Sequence, residues 1–242
     1  MTDVYWLEQT EGDTPREDDW LSPGEAVVLN GMRFAKRRAD WRLGRWTAKR
    51  AVALSLKLPG HSQSLAAIEI RPAPSGAPEV FIANRPACAA ISISHRAGVG
   101  ACAVALPGAM LGCDLELIEP HSDGFIADYF TTAEQALVAG AVPSERWQTL
   151  ALLWSAKESA LKALGTGLRR DTRSVVVSPA GAPGAAGESG GDPEIWRPLQ
   201  VRSIDGEAFH GWWNSTGGLL RTLVASPAPR VPILCLRGSP SQ

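Results

Sequence analysis

Residues 146–164 read RWQTLALLWSAKESALKAL, and residues 111–120, upstream of them, read LGCDLELIEP. In the first stretch Leu150, Leu153, Trp154, Leu161 and Leu164 recur at helical spacing, making an apolar stripe at about 100° per residue. Gly165 follows as a C-terminal cap. In the second stretch Leu111, Cys113, Leu115 and Leu117 alternate with Asp114 and Glu116, which is the period of a strand. A long amphipathic helix and an alternating strand in one half of the chain predict a mixed α+β fold.

Both stretches also carry charge in chemically informative places. Asp114 and Glu116 stand two residues apart on a strand and share a face. Adjacent carboxylates repel unless a cation or proton lies between them. Hard oxygen donors with room for water are what Mg²⁺ prefers, although exposed strands carry D-x-E for no such reason. Glu158 and Lys162 lie one helical turn apart, which by itself is an ordinary i,i+4 pair. Lys157 projects from within the apolar stripe, so its ammonium must snorkel out or meet an anion.

Working outward, Ser22-Pro23-Gly24-Glu25 reads as a helix start, with Ser as N-cap, Pro at the first position and Glu at the third. Residues 25–57 follow as helix in one or two pieces. Apolar runs at 68–70 and 80–82 flank a turn-rich Pro72-Ala73-Pro74-Ser75-Gly76-Ala77-Pro78. Strands are expected at 90–94 and 99–106, separated by His95-Arg96-Ala97-Gly98, and a helical segment at 123–139. A strand at 175–177 runs into SPAGAPGAAGESGGDP, 178–193, a Gly/Ala/Pro-rich stretch read as a flexible loop. Strand-like runs return at 195–203, 208–213, 219–225 and 231–237. No internal repeat is visible, and a boundary near Pro107 divides the chain into 1–106 and 107–242.

The chain has 242 residues, 45% hydrophobic and 20% charged, enough to bury a core without disulfides or a structural metal. Cys88, Cys102, Cys113 and Cys235 form no CxxC pair and read as small buried hydrophobes in a reducing compartment. The opening MTDVYWLEQTEGD is acidic where a secretory signal would be basic and then apolar, so a cytoplasmic protein is expected. The uncharged run 97–113 is broken by Gly98, Gly100, Pro107, Gly108 and Gly112 and falls short of the ~20 residues a membrane span needs. A net charge of −1 gives no global field for nucleic acid. Locally the balance is uneven: Arg33, Lys36, Arg37, Arg38, Arg42, Arg45, Lys49 and Arg50 face Asp40 alone. That patch suits a compact polyanion, such as a nucleotide or an acidic protein, or is simply a solvated helix face.

Three blocks now stand in order: ISISHRAGVGACAVA, then LGCDLELIEP, then LLWSAKESALKALGTGL. They resemble the signature blocks of the 4′-phosphopantetheinyl transferases of the Sfp type. The last two are close to the family forms (V/I)G(I/V)D(I/V)E and WxxKE(A/S)xxKxxGxGL, and a looser RRADWRLGRWTAK and PSGAP are consistent with it. The resemblance runs from about Ser22 to Val177. It implies two similar α+β subdomains in a pseudo-two-fold relation, each a small antiparallel sheet packed with helices, with the site in the cleft between them.

The activity so implied is transfer of the phosphopantetheine arm of coenzyme A to a serine of an apo acyl or peptidyl carrier protein, releasing 3′,5′-ADP, by a monomer. By motif position Asp114, Glu116 and Glu158 would hold Mg²⁺, His95 would contact a coenzyme A phosphate, and Lys162 would assist at the pyrophosphate. Glu158, directly or through a metal-bound water, is the candidate base for the carrier serine, with Glu116 after it; a carboxylate already bound to Mg²⁺ is a weak base, which favours the water-mediated form. Ser94 and Arg96 sit in the block that approaches the phosphates, and Arg45, Lys49, Arg71 and Lys157 are further candidates there, an Arg fork being well matched to phosphate. Glu134, in DYFTTAEQA, matches the family's F-x-x-x-E position. The family's Gly-Lys-Pro is Gly76-Ala77-Pro78 here, so Arg71 or Arg96 is expected to replace that lysine; Val27 and Val28 stand near positions where the family often has lysines. A non-catalytic binding module and a Mg²⁺-dependent phosphohydrolase are the competing classes.

Overall fold

A computed structural model describes residues 1–178 and 195–234. Of the loop expected over 178–193 only Ser178 is among them; the rest of it, Cys235 and the end of the last expected strand lie outside the described residues. The fold class is α+β, and the chain divides into two compact units, one of Asp3–Ala109 with the chain from Pro232 onward, the other of Met110–Val231 with Met1–Thr2.

The N-terminal unit begins with β1 (Val4–Thr10), then α1 (Pro23–Asn30), α2 (Ala35–Ser55) and α3 (Ser62–Ala66). A small sheet of β2 (Ile68–Pro72), β3 (Pro78–Ile82) and β4 (Arg85–Pro86) follows, then the hairpin β5 (Ala90–Arg96) and β6 (Val99–Ala105). The last strand, β12 (Ile233–Leu234), adds in parallel to β1, giving the order β12-β1-β6-β5. The helix expected over 25–57 is thus two, broken at Gly31–Phe34. The β5–β6 turn is tighter than the sequence implied. Ala97 and Gly98 both adopt positive φ (52° and 74°), the two-residue turn that matches strand twist, so His95 and Arg96 belong to β5. Leu43, Trp46, Ala48, Ala51 and Val52 of α2 are buried, and the helix packs across β6 and β1. Gly100 of β6 permits that approach: a Cβ there would lie 2.9 Å from both Leu43 Cγ and Thr47 Oγ1.

The C-terminal unit runs β7 (Met110–Leu117), α4 (Asp123–Tyr129), α5 (Thr132–Gly140), α6 (Arg146–Ala163), β8 (Val175–Val177), β9 (Arg197–Ser203), β10 (Ala208–Thr216) and β11 (Leu219–Ser226). Its antiparallel sheet has the order β7-β11-β10-β9-β8. α6 lies on β7 and β11, and Gly112 makes that contact possible, since a Cβ there would sit 1.8 Å from the Ser159 carbonyl oxygen. The core gathers Leu150, Leu153, Leu161, Phe209, Trp213 and Val224 with their neighbours.

The two units share a plan. In each, the first strand pairs antiparallel with the last of its hairpin (β1 with β6, β7 with β11), and the long helix packs on that pair. Each also repeats one polar device. Ser22 and Thr131 cap α1 and α5, and their capping-box glutamates, Glu25 and Glu134, are 3% and 1% exposed. Glu25 Oε1 accepts from Ile70 N, and Glu134 Oε1 from Val177 N, each at 3.1 Å. The second oxygen meets a lysine of the long helix: Lys49 Nζ at 2.5 Å in one unit, Lys157 Nζ at 2.8 Å in the other. The local sequences WTAKR (46–50) and WSAKE (154–158) correspond, as do WLE (6–8) and DLE (114–116). The likeness of the two units is what the resemblance implied, although the sequence by itself shows no repeat. Capping boxes and matched buried charges persist where most other side chains differ, which leaves too few identities for the sequence to show.

Candidate functional site

β7 and α6 build the site of the C-terminal unit. Alternation along β7 puts Gly112, Asp114 and Glu116 on the face that meets α6, and Trp154, Glu158 and Lys162, spaced by fours, form one line on that helix. Lys162 Nζ donates to Asp114 Oδ1 at 2.7 Å and to the Cys113 carbonyl at 3.0 Å, and lies 3.9 Å from Glu158 Oε2. Trp154 Nε1 donates to Glu116 Oε1 at 3.2 Å. Asp114 and Glu158, one from the strand and one from the helix, thus flank a single ammonium group, with Glu116 held beside them by an indole. Asp114 is nearly buried at 3%, whereas Glu158 and Lys162 keep 19% and 28% of their side chains open to solvent.

Burial pulls the Lys162 ammonium down in pKa. Attraction to Asp114, Cys113 and Glu158 and the hydrogen bond to Asp114 outweigh it, and the group titrates above the usual lysine value. Lys162 is thus a fixed cation at neutral pH, aimed at the carboxylates.

Donor chemistry fits the expected Mg²⁺, because Asp114, Glu116 and Glu158 offer hard oxygens on facing elements. As they stand, among the described residues, no three His, Cys, Asp or Glu side chains are drawn together tightly enough to enclose a metal ion; Lys162 is the cation in their midst.

Lys157, expected among the phosphate ligands, is not part of this group. Its side chain is 0% exposed on another face of α6, where Nζ donates to Thr172 O (2.9 Å), Val175 O (2.7 Å) and Glu134, 5.6 Å from the centre of the Phe130 ring. Desolvation lowers its pKa despite the attraction of Glu134. Its role is corrected from ligand contact to an internal ion pair: the anion its place in the apolar stripe demanded is Glu134, which is likewise structural. Lys49 is corrected on the same ground. It is 0% exposed, bonded to Trp20 O at 2.9 Å and to Glu25, with its pKa lowered by burial.

The other candidates lie in the N-terminal unit. His95 is half exposed, with Nε2 3.9 Å from Asp40 Oδ2 of α2. Strand alternation places Ser94 and Arg96 on the opposite face of β5 from His95, so the three do not form one cluster. Arg45, 19% exposed, lies over the Trp41 ring, with its Nε 3.8 Å from Glu25 Oε1. Its pKa is lowered by burial and partly restored by Glu25. Arg71 is held by Glu69 at 2.6 Å and Asn84 at 2.5 Å over the Phe81 ring, which leaves part of its fork open. Cys102 and Cys113 are buried free thiols, but Cys88, between β4 and β5, is exposed, against expectation.

Sequence reasoning missed Trp154 as the partner of Glu116. The signal was present, since Trp154, Glu158 and Lys162 share one helical line.

Residues 110–200, the segment that supplies Asp114, Glu116, Trp154, Glu158 and Lys162, match the family model described as the 4′-phosphopantetheinyl transferase superfamily. No curated protein matches the chain. Among solved structures, the holo-[acyl-carrier-protein] synthase of Helicobacter pylori in complex with coenzyme A is 18% identical, covering 43% of this chain and 98% of that one, at a TM-score of 0.34. The holo-(acyl-carrier-protein) synthase of Bacillus anthracis in complex with CoA (3′,5′-ADP) is 19% identical, covering 44% and 97%, at 0.37. That of Thermotoga maritima is 20% identical, covering 54% and 76%, at 0.35.

Proposed function

We propose that this chain transfers the 4′-phosphopantetheine arm of coenzyme A to a serine hydroxyl of an apo acyl or peptidyl carrier protein and releases 3′,5′-ADP. The observation that carries the reading is the Asp114–Lys162–Glu158 constellation, lying within the segment that matches the superfamily. In the reaction the serine oxygen forms a bond to the phosphorus that bears pantetheine, the phosphoanhydride bond to the ADP moiety breaks, and the serine proton leaves to a base. Glu158 is the first choice for that base, since it is open to solvent while Asp114 is buried against Lys162; Glu116 is second. Lys162 supplies fixed positive charge where the oxygens of the departing 5′-phosphate of 3′,5′-ADP become more negative. Asp114, Glu116 and Glu158 would hold Mg²⁺, which when bound supplies further charge neutralisation at the diphosphate. His95, Arg45, Arg71, Ser94 and Arg96 are the proposed coenzyme A contacts of the N-terminal unit. The protein is proposed to act as a cytoplasmic monomer, and no helix among the described residues is long and apolar enough to cross a membrane.

Intact-mass analysis of a panel of apo carrier proteins, incubated with the chain, coenzyme A and Mg²⁺, tests the reading. One added phosphopantetheinyl group on the carrier, with one equivalent of 3′,5′-ADP released, is expected. Release of 3′,5′-ADP without any carrier would instead make the protein a phosphohydrolase.

A further inference from the structure

Helix α2, AKRRADWRLGRWTAKRAVALS, carries seven Lys and Arg residues and a single acid, Asp40. An acid among those bases opposes any anion the N-terminal unit binds, because like charges repel. Its helix neighbours do not account for it. Lys36 and Arg37, one turn earlier, form no ion pair with it, and among the described residues its one ion pair is with His95 of β5.

The packing of α2 on β5 sets that pair. Gly44 of α2 lies against Ile93, since a Cβ there would stand 3.6 Å from Ile93 Cγ2. Asp40 lies one turn back along the helix, about 6 Å at 1.5 Å per residue. His95 lies two residues on along the strand, about 7 Å at 3.4 Å per residue. The two steps match, and they bring Asp40 Oδ2 to 3.9 Å from His95 Nε2. Gly100, the partner of His95 on β6, lets the helix come down beside it: a Cβ there would meet Leu43 Cγ and Thr47 Oγ1 at 2.9 Å. Backbone packing therefore sets the separation. At 3.9 Å the contact is an ion pair, long for a hydrogen bond, and such contacts tighten when a ligand closes on them. Asp40 keeps 25% of its side chain open and His95 50%, and Nδ1 of His95 has no partner among the described residues.

We infer that Asp40 is a positioning residue, which holds the His95 ring by Nε2 so that Nδ1 is presented to a phosphate oxygen of coenzyme A. In the imidazolium form both ring nitrogens donate, one to the Asp40 carboxylate and the other to the phosphate. Asp40 acts through His95 and does not itself contact the anion. That the anion is a coenzyme A phosphate rests on the transfer reading; that Asp40 orients His95 rests on the packing of α2 against β5.

Charge alone predicts the opposite sign. Were Asp40 merely an acid among bases, Asp40→Asn would remove a repulsion, and coenzyme A would bind more tightly or equally well. As a positioning residue its loss frees the ring and weakens binding. Isothermal titration with coenzyme A, without any acceptor, compares wild type with Asp40→Asn, Asp40→Glu, His95→Gln and the double variant Asp40→Asn/His95→Gln. Circular dichroism checks that each folds. The Kd for coenzyme A should rise about tenfold in Asp40→Asn, and Asp40→Glu, whose longer side chain still reaches the ring, should stay within about twofold of wild type. In the His95→Gln background Asp40→Asn should cause no further loss. Unchanged or tighter binding in Asp40→Asn overturns the inference, and so does an equal loss when His95 is already replaced. Wild type that binds coenzyme A but modifies no carrier defeats the transfer reading, while a coupled cycle still upholds Asp40. Wild type that binds no coenzyme A overturns both.

Discussion

Lys162 Nζ stands 2.7 Å from Asp114 Oδ1 and 3.9 Å from Glu158 Oε2, so one ammonium ties the strand carboxylate to the helix carboxylate. A cation fixed there lowers the repulsion between the acids and is already oriented toward developing negative charge, which is the property a phosphoryl-transfer site needs. Lys162→Met should therefore lower kcat by about 10²-fold or more, with a smaller effect on the carrier KM. Initial rates of 3′,5′-ADP release against both substrates measure this. A change confined to carrier KM would remove Lys162 from the leaving-group role.

The same lysine gives a pH signature. Its folded pKa is raised, so its contribution to stability is fully present below the ordinary lysine value of about 10.4 and is lost as pH rises through the higher folded value. The difference in unfolding free energy between wild type and Lys162→Met should stay flat from neutral pH to that point and shrink above it. Urea titrations across the alkaline range read the difference directly. Taking it between the two proteins cancels the opposite behaviour of Lys49 and Lys157, whose pKa values are lowered by burial.

Trp154 offers a test of positioning. Its Nε1 donates to Glu116 Oε1 at 3.2 Å, while its ring packs edge-on against Phe125 and Tyr129. Trp154→Phe keeps an aromatic ring and removes the donor. About a tenfold fall in kcat is expected, with a shifted Mg²⁺ dependence and little change in thermal midpoint. A variant with wild-type Mg²⁺ dependence would show that the indole does not orient Glu116.

The sequence made some of this arrangement legible. The alternation of β7 and the line of α6 could be read because each depends on local periodicity, and the position of Lys157 in an apolar stripe announced that an anion must lie close by. It could not name that anion, because Glu134 belongs to a capping box on another helix and the contact is set by how α5 packs on α6. The same limit misplaced Lys49 and Lys157 at the coenzyme phosphates: a motif gives residue types, and burial decides which of them reach a ligand. Ser94, His95 and Arg96 were grouped by proximity in sequence, and a two-residue turn that lengthens β5 sends them to opposite faces.

The internal pairs should behave as stability elements. Removing one partner leaves a buried charge uncompensated, so Glu134→Gln or Lys157→Met should cost about 3–5 kcal/mol in urea unfolding. The double variant Glu134→Gln/Lys157→Met should recover part of that cost, because no charge is then stranded. Folded Lys157→Met protein should keep its KM for coenzyme A. A selective rise in that KM without loss of stability would return Lys157 to the phosphate site.

Gly112 joins fold and chemistry most directly. An alanine Cβ there would fall 1.8 Å from Ser159 O, 2.7 Å from Ser159 C and 2.9 Å from Ala163 N, all backbone atoms of α6 that no rotamer change can move aside. The helix must shift away from β7, at a cost of about 1–3 kcal/mol or more. That displacement would also widen the gap that Lys162 spans to Asp114, since one lies on the helix and the other two residues along the strand from Gly112. Gly112→Ala should therefore lose transfer activity at temperatures where circular dichroism still shows it folded, and Gly112→Ser should do the same. Full activity in a folded Gly112→Ala protein would mean that the close approach of α6 to β7 is not what sets the carboxylate–lysine geometry.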